Sequence, residues 1–247
     1  MNSLKNKTAI VTGGNSGIGY AAAKELAAQG ARVIITGRRK EALEAAARET
    51  GTVPFLADQA SLEDTTALTE EAKRTFGGID ILFINAGITG TSALIEHMPG
   101  DNFDAVMDIN FKGAYFTLSK FIPLLNEGAS VVFLSSIAAT THRPQSSVYQ
   151  ASKAALNSIA KTAAAELASR KIRVNVISPG PTRTEVLSKS GADSETVKQI
   201  FDTLSDQIPL KKIGPPEDVA RLVTYLSSDA ATFITGSEFV IDGGLTL

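Results

Sequence analysis

Seven short runs rich in Val, Ile, Leu and Phe recur along the chain, and longer stretches with helical periodicity separate them. The runs are Thr8–Thr12, Arg32–Thr36, Thr52–Leu56, Ile79–Ile84, Ser130–Leu134, Arg173–Ile177 and Glu238–Ile241. Their near-continuous apolar character fits strands buried on both faces. Helical patterns occupy Ile18–Gln29, Arg39–Glu49, Leu62–Phe76, Asn102–Leu125, Val148–Arg170 and Pro216–Ser227. Strict β-α alternation implies an α/β fold: a doubly wound parallel sheet with right-handed crossovers and helices on both faces. Local signals agree. Ser61 precedes a helix with Asp64 at the capping-box position. Pro215-Pro216 opens another, with Glu217 and Asp218 near its positive end.

At 247 residues the chain is long enough to bury a sizeable core, and it contains no linker, repeat or low-complexity tract. One domain spanning residues 1–247 is expected. The stretch Thr184–Pro209 breaks the rhythm. It is polar and follows a strand, with a helical pattern only over Ser194–Leu204. An insertion after a strand's carboxyl end lies over the ligand crevice of such a sheet, so 184–209 is expected to cover substrate. Lys and Arg number 24 against 26 Asp and Glu. That balance gives no electrostatic reason to expect nucleic acid or an anionic membrane. Met1–Lys7 is polar, and no apolar run approaches the roughly 20 residues that span a bilayer. A cytoplasmic location is the default expectation. Without cysteine, disulfide and thiolate chemistry are excluded, and the only histidines, His97 and His142, stand in no ligand-spaced cluster. No metal site is expected.

The first strand runs into Thr12-Gly13-Gly14-Asn15-Ser16-Gly17-Ile18-Gly19, which opens the first helix. Glycines permit a tight turn and let backbone N–H groups approach a pyrophosphate, and the helix N-terminus adds partial positive charge. The glycine spacing is GxxxGxG, and no Gly-Lys-Ser/Thr follows, so an ATP-type phosphate loop is excluded. A dinucleotide site is expected. Sites for NAD place an acid at the end of the second strand for the ribose hydroxyls. Here that strand ends Thr36-Gly37-Arg38-Arg39. Guanidinium binds a 2′-phosphate that a carboxylate would repel. NADP(H) is therefore expected in preference to NAD(H), through Arg38 and Arg39.

Tyr149-Gln150-Ala151-Ser152-Lys153 puts a phenol and an ammonium on one helix face. A nearby cation should lower the tyrosine pKa and let Tyr149 act as general acid or base. The same spacing recurs at Tyr20-Ala21-Ala22-Ala23-Lys24, so spacing alone assigns nothing. Tyr20 belongs to the phosphate-binding helix, where it is expected to be packed or exposed. Tyr149 follows the strand Ser130–Leu134, whose carboxyl end should border the crevice and carry the hydroxyls of Ser135 and Ser136.

Taken together, the chain resembles the short-chain dehydrogenase/reductase family, of the NADP-preferring carbonyl-reductase or alcohol-dehydrogenase type. The resemblance rests on the Thr12–Gly19 cradle, Asp58, Asn85-Ala86-Gly87, Asn110, Ser136, Tyr149, Lys153, Pro179-Gly180 and Asp242-Gly243-Gly244, in this order along nearly the whole chain. It implies a single-domain Rossmann fold with a seven-stranded sheet. It implies a catalytic set of Asn110, Ser136, Tyr149 and Lys153. Ser136 would hold the substrate oxygen, Lys153 would bind the nicotinamide ribose, and Asn110 would hold a relay water. Gly13, Asn15, Ser16, Gly17, Ile18 and Gly19 would cradle the diphosphate. Asp58 and Gln59 would meet the adenine, and Asn85, Ala86 and Gly87 the middle of the cofactor. Pro179, Gly180, Thr182 and Thr184 would edge the nicotinamide. Substrate would touch Ser136, Ala138, Tyr149 and Pro181. A small-molecule ketone, aldehyde or alcohol is the implied partner.

The resemblance also implies a homotetramer, or a dimer, built on Asn102–Leu125 and Val148–Arg170. Two other functions compete. A 3-oxoacyl-carrier-protein reductase would need a basic docking patch for its acidic carrier. Phe121–Ser130 carries only Glu127 as a charge, although Arg170, Lys171 and Arg173 cluster elsewhere. A non-catalytic dinucleotide sensor or scaffold would need a degraded catalytic set, and this set is complete.

Overall fold

The computed structural model describes residues 3–184 and 194–247. Seven strands form one sheet: β1 Thr8–Val11, β2 Arg32–Gly37, β3 Val53–Leu56, β4 Ile79–Ile84, β5 Leu125–Leu134, β6 Arg173–Pro179 and β7 Glu238–Ile241. Every pairing is parallel, in the order β3-β2-β1-β4-β5-β6-β7. The helices are α1 Gly17–Ala28, α2 Lys40–Thr50, α3 Leu62–Phe76, α4 Gly100–Met107, α5 Ala114–Phe121, α6 Ser147–Leu167, α7 Ser194–Gln207 and α8 Pro216–Ser227.

Strand side chains alternate between two cores, as the period-two geometry of a strand requires. Ala9 and Val11 pack with α1, α2 and α8 on one face. Ile10 packs with α3, α5 and α6 on the other. This is the Rossmann arrangement, with helices on both faces. The chain builds β2 and β3 on one side of β1 and then crosses to β4 on the other. Neighbouring crossovers leave the sheet in opposite directions there, which opens a crevice at the carboxyl ends of β1 and β4.

Four sequence expectations need correction. Burial on both faces fails at the sheet edges: Val53 and Leu56 of β3 and Val240 of β7 are exposed. Each edge strand has a neighbour on one side only, and Pro54 is tolerated in β3 for that reason. The fifth strand starts at Leu125, not Ser130. Leu125 pairs with Ile79, the register then slips, and Ser130 pairs with Ile81.

The expected helix Asn102–Leu125 is three pieces: α4, a π-helical segment Asp108–Gly113, and α5 ending at Phe121. A single 3₁₀ turn, Ile122–Leu124, follows. Pro123 lacks the N–H that would extend the helix. The Arg170 guanidinium donates to the carbonyls of Ile122 and Leu125 beside this turn. Finally, Ser61 caps α3 by accepting from the Asp64 N–H at 3.0 Å, but Asp64 does not close the box. Its carboxylate turns to the Asp58 N–H at 2.7 Å and so braces the β3 exit loop. The segment 184–209 falls partly outside the described residues, at 185–193. Its helix α7 runs past Leu204 to Gln207.

Candidate active site

A crevice of roughly 1000 Å³ opens along the carboxyl ends of the strands. Its floor is the cradle between β1 and α1. Gly13 sits at φ 65°, a left-handed backbone that favours glycine. Its N–H donates to Thr36 Oγ1 at 3.3 Å, and the Gly14 N–H donates to Thr36 O at 2.9 Å. The loop is thereby tied to β2. Thr12 ties it to β4: its hydroxyl oxygen accepts from the N–H groups of Asn85 and Ala86, both at 3.0 Å. The Asn85 amide returns the contact, donating to Thr12 O at 2.8 Å and to Gly13 O at 3.2 Å. A Cβ on Gly19 would lie 2.3 Å from Gly13 O, so Gly19 permits α1 to press against its own loop. The result is an open helix N-terminus facing the crevice, the arrangement that suits a phosphate.

Along the same crevice lie Gly13, Asn15, Ser16, Gly17, Ile18, Arg38, Arg39, Asp58, Gln59, Asn85, Ala86 and Gly87. Ser136, Tyr149, Lys153, Pro179, Gly180, Thr182 and Thr184 complete the expected residues found there. Gly19, Asn110, Ala138 and Pro181 do not line it. Gly19 acts through packing. Ala138 lies on the 3₁₀ turn Ile137–Ala139, which Ser136 caps by accepting from the Ala138 N–H at 3.1 Å. Pro181 O accepts from the Gly214 N–H at 3.2 Å, holding the β6 exit to the segment before α8. Thr184 lies against Gly17: a Cβ on that glycine would meet Thr184 Cβ at 3.4 Å. That puts it beside the glycine cradle, within the same crevice.

Sequence reading missed Thr36, Ile88, Thr89, Ile109 and Leu134 as lining residues. Thr36 and Leu134 stand at or next to the ends of β2 and β5, so strand position alone could have found them. Ile88 and Thr89 extend the Asn85–Gly87 exit. Ile109 had no sequence signal, because it depends on the π-helical segment.

At the end of the crevice beside β2 and β3, Arg38 and Asp58 face each other at 3.7 Å, both substantially exposed. Gly37 stands where an acid would otherwise sit. A Cβ there would lie 2.8 Å from Asn15 Oδ1, so the cradle fills this space with its own side chain.

At the other end are the phenol and the ammonium. Ser136 and Tyr149 line the same wall of the crevice, and the Ser136 hydroxyl favours the ionised phenol. Lys153 Nζ lies 5.8 Å from the Tyr149 ring centroid. Its ammonium donates to Leu134 O at 2.8 Å and is 3% exposed. Ser135 turns away from the pair: its hydroxyl donates to Lys153 O at 3.2 Å and its N–H to Ile177 O at 2.8 Å. The expected lowering of the Tyr149 pKa is not found. Burial raises it, with the Ser136 hydroxyl pulling the other way. Burial acts on the lysine as well, pushing it down to about 8. Desolvation disfavours both charged forms, and here it outweighs the attraction expected between them.

Asn110 is fully buried behind this pair, inside the π-helical segment. Its Oδ1 accepts from the Ile88 N–H and its Nδ2 donates to Ile88 O, each at 2.8 Å. The second Nδ2 hydrogen goes to Ser152 Oγ at 3.0 Å. Tyr20 is different in every respect. It packs against the core beside α1, and burial, with a hydrogen bond to Glu49, pushes its pKa up to about 12. The crevice-lining residues do not include it.

A parallel doubly wound sheet, a glycine-rich cradle at its switch point and a Ser-Tyr-Lys cluster with its lysine buried together define a dinucleotide-dependent oxidoreductase class. The family model described as enoyl-(acyl carrier protein) reductase matches residues 13–246. Oxidoreductase asL5 of Sarocladium schorii is 38% identical, over 98% of this chain and 96% of its own. A 3α-hydroxysteroid dehydrogenase of Mediterraneibacter gnavus is 34% identical, over 97% of each chain. The 3-oxoacyl-[acyl-carrier-protein] reductase FabG of Thermotoga maritima is 34% identical over 99% of each.

Solved structures agree. A short-chain dehydrogenase/reductase from Brucella melitensis superposes with a TM-score of 0.92 at 32% identity, over 99% of this chain and 98% of that one. A short-chain dehydrogenase from Burkholderia cenocepacia in complex with NADP gives 0.91 at 31% identity, over 99% of this chain and 100% of that one. The chain belongs to the short-chain dehydrogenase/reductase family, whose members are oxidoreductases that bind a nicotinamide cofactor.

Proposed function

We propose that this protein is an NADPH-preferring oxidoreductase that interconverts a small-molecule ketone or aldehyde with its alcohol, with Tyr149 as the proton donor. The observation that carries this reading is the convergence of Ser136, Tyr149 and the buried Lys153 on one wall of the crevice that the glycine cradle floors. When bound, the nicotinamide ring supplies or accepts hydride. The protein's residues do the rest. Ser136 and Tyr149 hold the substrate oxygen, and the phenol gives it a proton in reduction or takes one in reverse. A tyrosine kept protonated by burial is in the form that reduction requires. Lys153, with a pKa of about 8, still carries its charge at neutral pH and favours the phenolate that proton transfer leaves.

The cradle Gly13, Asn15, Ser16, Gly17 and Ile18 would hold the diphosphate, with Thr184 beside it. Arg38 and Arg39 would take the 2′-phosphate. Asp58 and Gln59 would meet the adenine, and Asn85, Ala86 and Gly87 the middle of the cofactor. Pro179, Gly180 and Thr182 would edge the nicotinamide, with Ala138, Pro181 and the segment 184–209 toward the substrate. Exposed Phe103 and Tyr115 on the α4–α5 run favour a homotetramer or dimer through that face.

The carrier-protein reading draws support from the named relatives, but the basic cluster Arg170, Lys171 and Arg173 is spent on internal partners. Lys171 pairs with Glu127 at 2.6 Å, and Arg170 and Arg173 donate to backbone carbonyls at helix ends. The test is turnover of a ketone and aldehyde panel with NADPH and with NADH. Turnover with NADPH is expected. Tight NADPH binding with no turnover of any carbonyl would instead support a sensor, and reduction of carrier-bound but not free ketones would support the carrier reading.

A further inference from the structure

Ser152 lies between Tyr149 and Lys153 on α6, and no solvent reaches it. Its hydroxyl donates to Tyr149 O at 2.7 Å. That bond alone is unremarkable, since serines within helices commonly back-bond to a preceding carbonyl. The second bond is not local. Ser152 Oγ also accepts from Asn110 Nδ2 at 3.0 Å, across 42 residues of sequence. Asn110 spends its remaining amide groups on both backbone groups of Ile88, at the crevice wall. Gly87 closes the circle: a Cβ there would meet Asn110 Oδ1 at 3.2 Å and Lys153 Nζ at 3.4 Å. The β4 exit, the π-helical segment and the turn that carries the phenol and ammonium therefore converge on one buried amide.

We propose that Ser152 is a positioning residue, the acceptor through which Asn110 fixes the Tyr149–Lys153 turn against the crevice. This rests on the reductase reading above. The physical reason is that a fully buried amide N–H without an acceptor is costly, so the turn can leave its position only by breaking that contact. A hydroxyl is required, because alanine offers no acceptor to Asn110. Misplacing a proton donor by about 1 Å is enough to cost on the order of 100-fold in rate.

The test is a double-variant cycle with Ser152→Ala and Asn110→Ala, with Asn110→Ser in place of the latter should it not fold. Melting temperature, NADPH affinity and the pH profile of kcat are read for each. Ser152→Ala should lower kcat by about tenfold or more, by the same positioning argument. It should shift the pH at which kcat falls and leave NADPH affinity within about twofold. In the Asn110 variant it should lower neither melting temperature nor kcat further, because the two side chains act as one unit. Additive melting losses would overturn the proposal. So would a folded Ser152→Ala enzyme with wild-type kcat, or one whose kcat drops equally at every pH. If the wild type turns over no carbonyl, the reductase reading fails, and the melting cycle, which needs no activity, still decides the Asn110–Ser152 coupling.

Discussion

Replacing Lys153 with methionine should stabilise the protein while abolishing its activity. The lysine is nearly fully buried, and burial pushes its pKa from 10.5 down to about 8. Holding the ammonium charged at neutral pH therefore costs roughly 3 kcal/mol relative to solvated lysine. Methionine keeps most of the apolar stem and removes this cost. The loss is the hydrogen bond to Leu134 O, which leaves a buried carbonyl short of a donor at about 1 kcal/mol. The net expectation is a gain on the order of 2 kcal/mol at pH 7, a melting temperature several degrees higher in a chain of this size.

The pH dependence is a stricter check. Unfolded lysine keeps its proton until about 10.5, whereas the native lysine loses it near 8. Between these values the unfolded chain binds more protons, so wild-type stability should rise with pH. Above pH 10 the trend reverses, because Tyr149 and Tyr20 keep their protons in the native state beyond the pH at which unfolded tyrosine loses its own. Urea unfolding of both proteins at pH 7, 8, 9 and 10 reads the difference. A wild-type profile that is flat from 8 to 10, or a Lys153→Met protein less stable than wild type at pH 7, would refute the reasoning.

Other perturbations reach the remaining parts of the site. Arg38→Asp should weaken NADPH by roughly 10-fold or more while sparing NADH, measured as the ratio of dissociation constants, since it replaces a charge-assisted contact with repulsion. Asp58→Asn should move that ratio the other way by a few-fold at low salt, because it frees Arg38 from its 3.7 Å partner, and the effect should fade at high salt. Asp242→Asn should lower the melting temperature by loosening the C-terminal turn. The Asp242 carboxylate accepts there from the N–H groups of Gly244 and Thr246 and from the Thr246 hydroxyl. Burial opposes the charge, but the hydrogen bonds win and lower its pKa, so its contribution is lost as pH falls through the lowered value.

The sheet was legible because buried parallel strands advertise themselves as apolar runs; all seven strands exist, the fifth starting at Leu125 before the expected Ser130. Its edges were not, because a lone sequence cannot say which strand ends up with one neighbour. The π-helical segment around Asn110 was also hidden. It depends on Gly113 approaching Gln59 O, where a Cβ would lie at 2.1 Å, a contact between distant parts of the chain. The positions of Ser136, Tyr149 and Lys153 were readable from a strand end and a helix period. Their electrostatics were not. Proximity of a cation suggested an acidic phenol, and only the depth of burial shows that desolvation prevails. The duplicated Tyr-x-x-x-Lys pattern resolves in three dimensions, with Tyr20 packed against the α1 side of the core.

That duplication provides the most direct test of the central claim. Tyr149→Phe and Tyr20→Phe should be compared for turnover of a reducible carbonyl with NADPH, alongside melting temperature. Tyr149→Phe should lose at least about 100-fold in kcat, the scale of a positioned general acid, with melting temperature near wild type. Tyr20→Phe should keep near wild-type kcat, because Tyr20 lies outside the crevice lining. Wild-type turnover by a folded Tyr149→Phe protein would contradict the account.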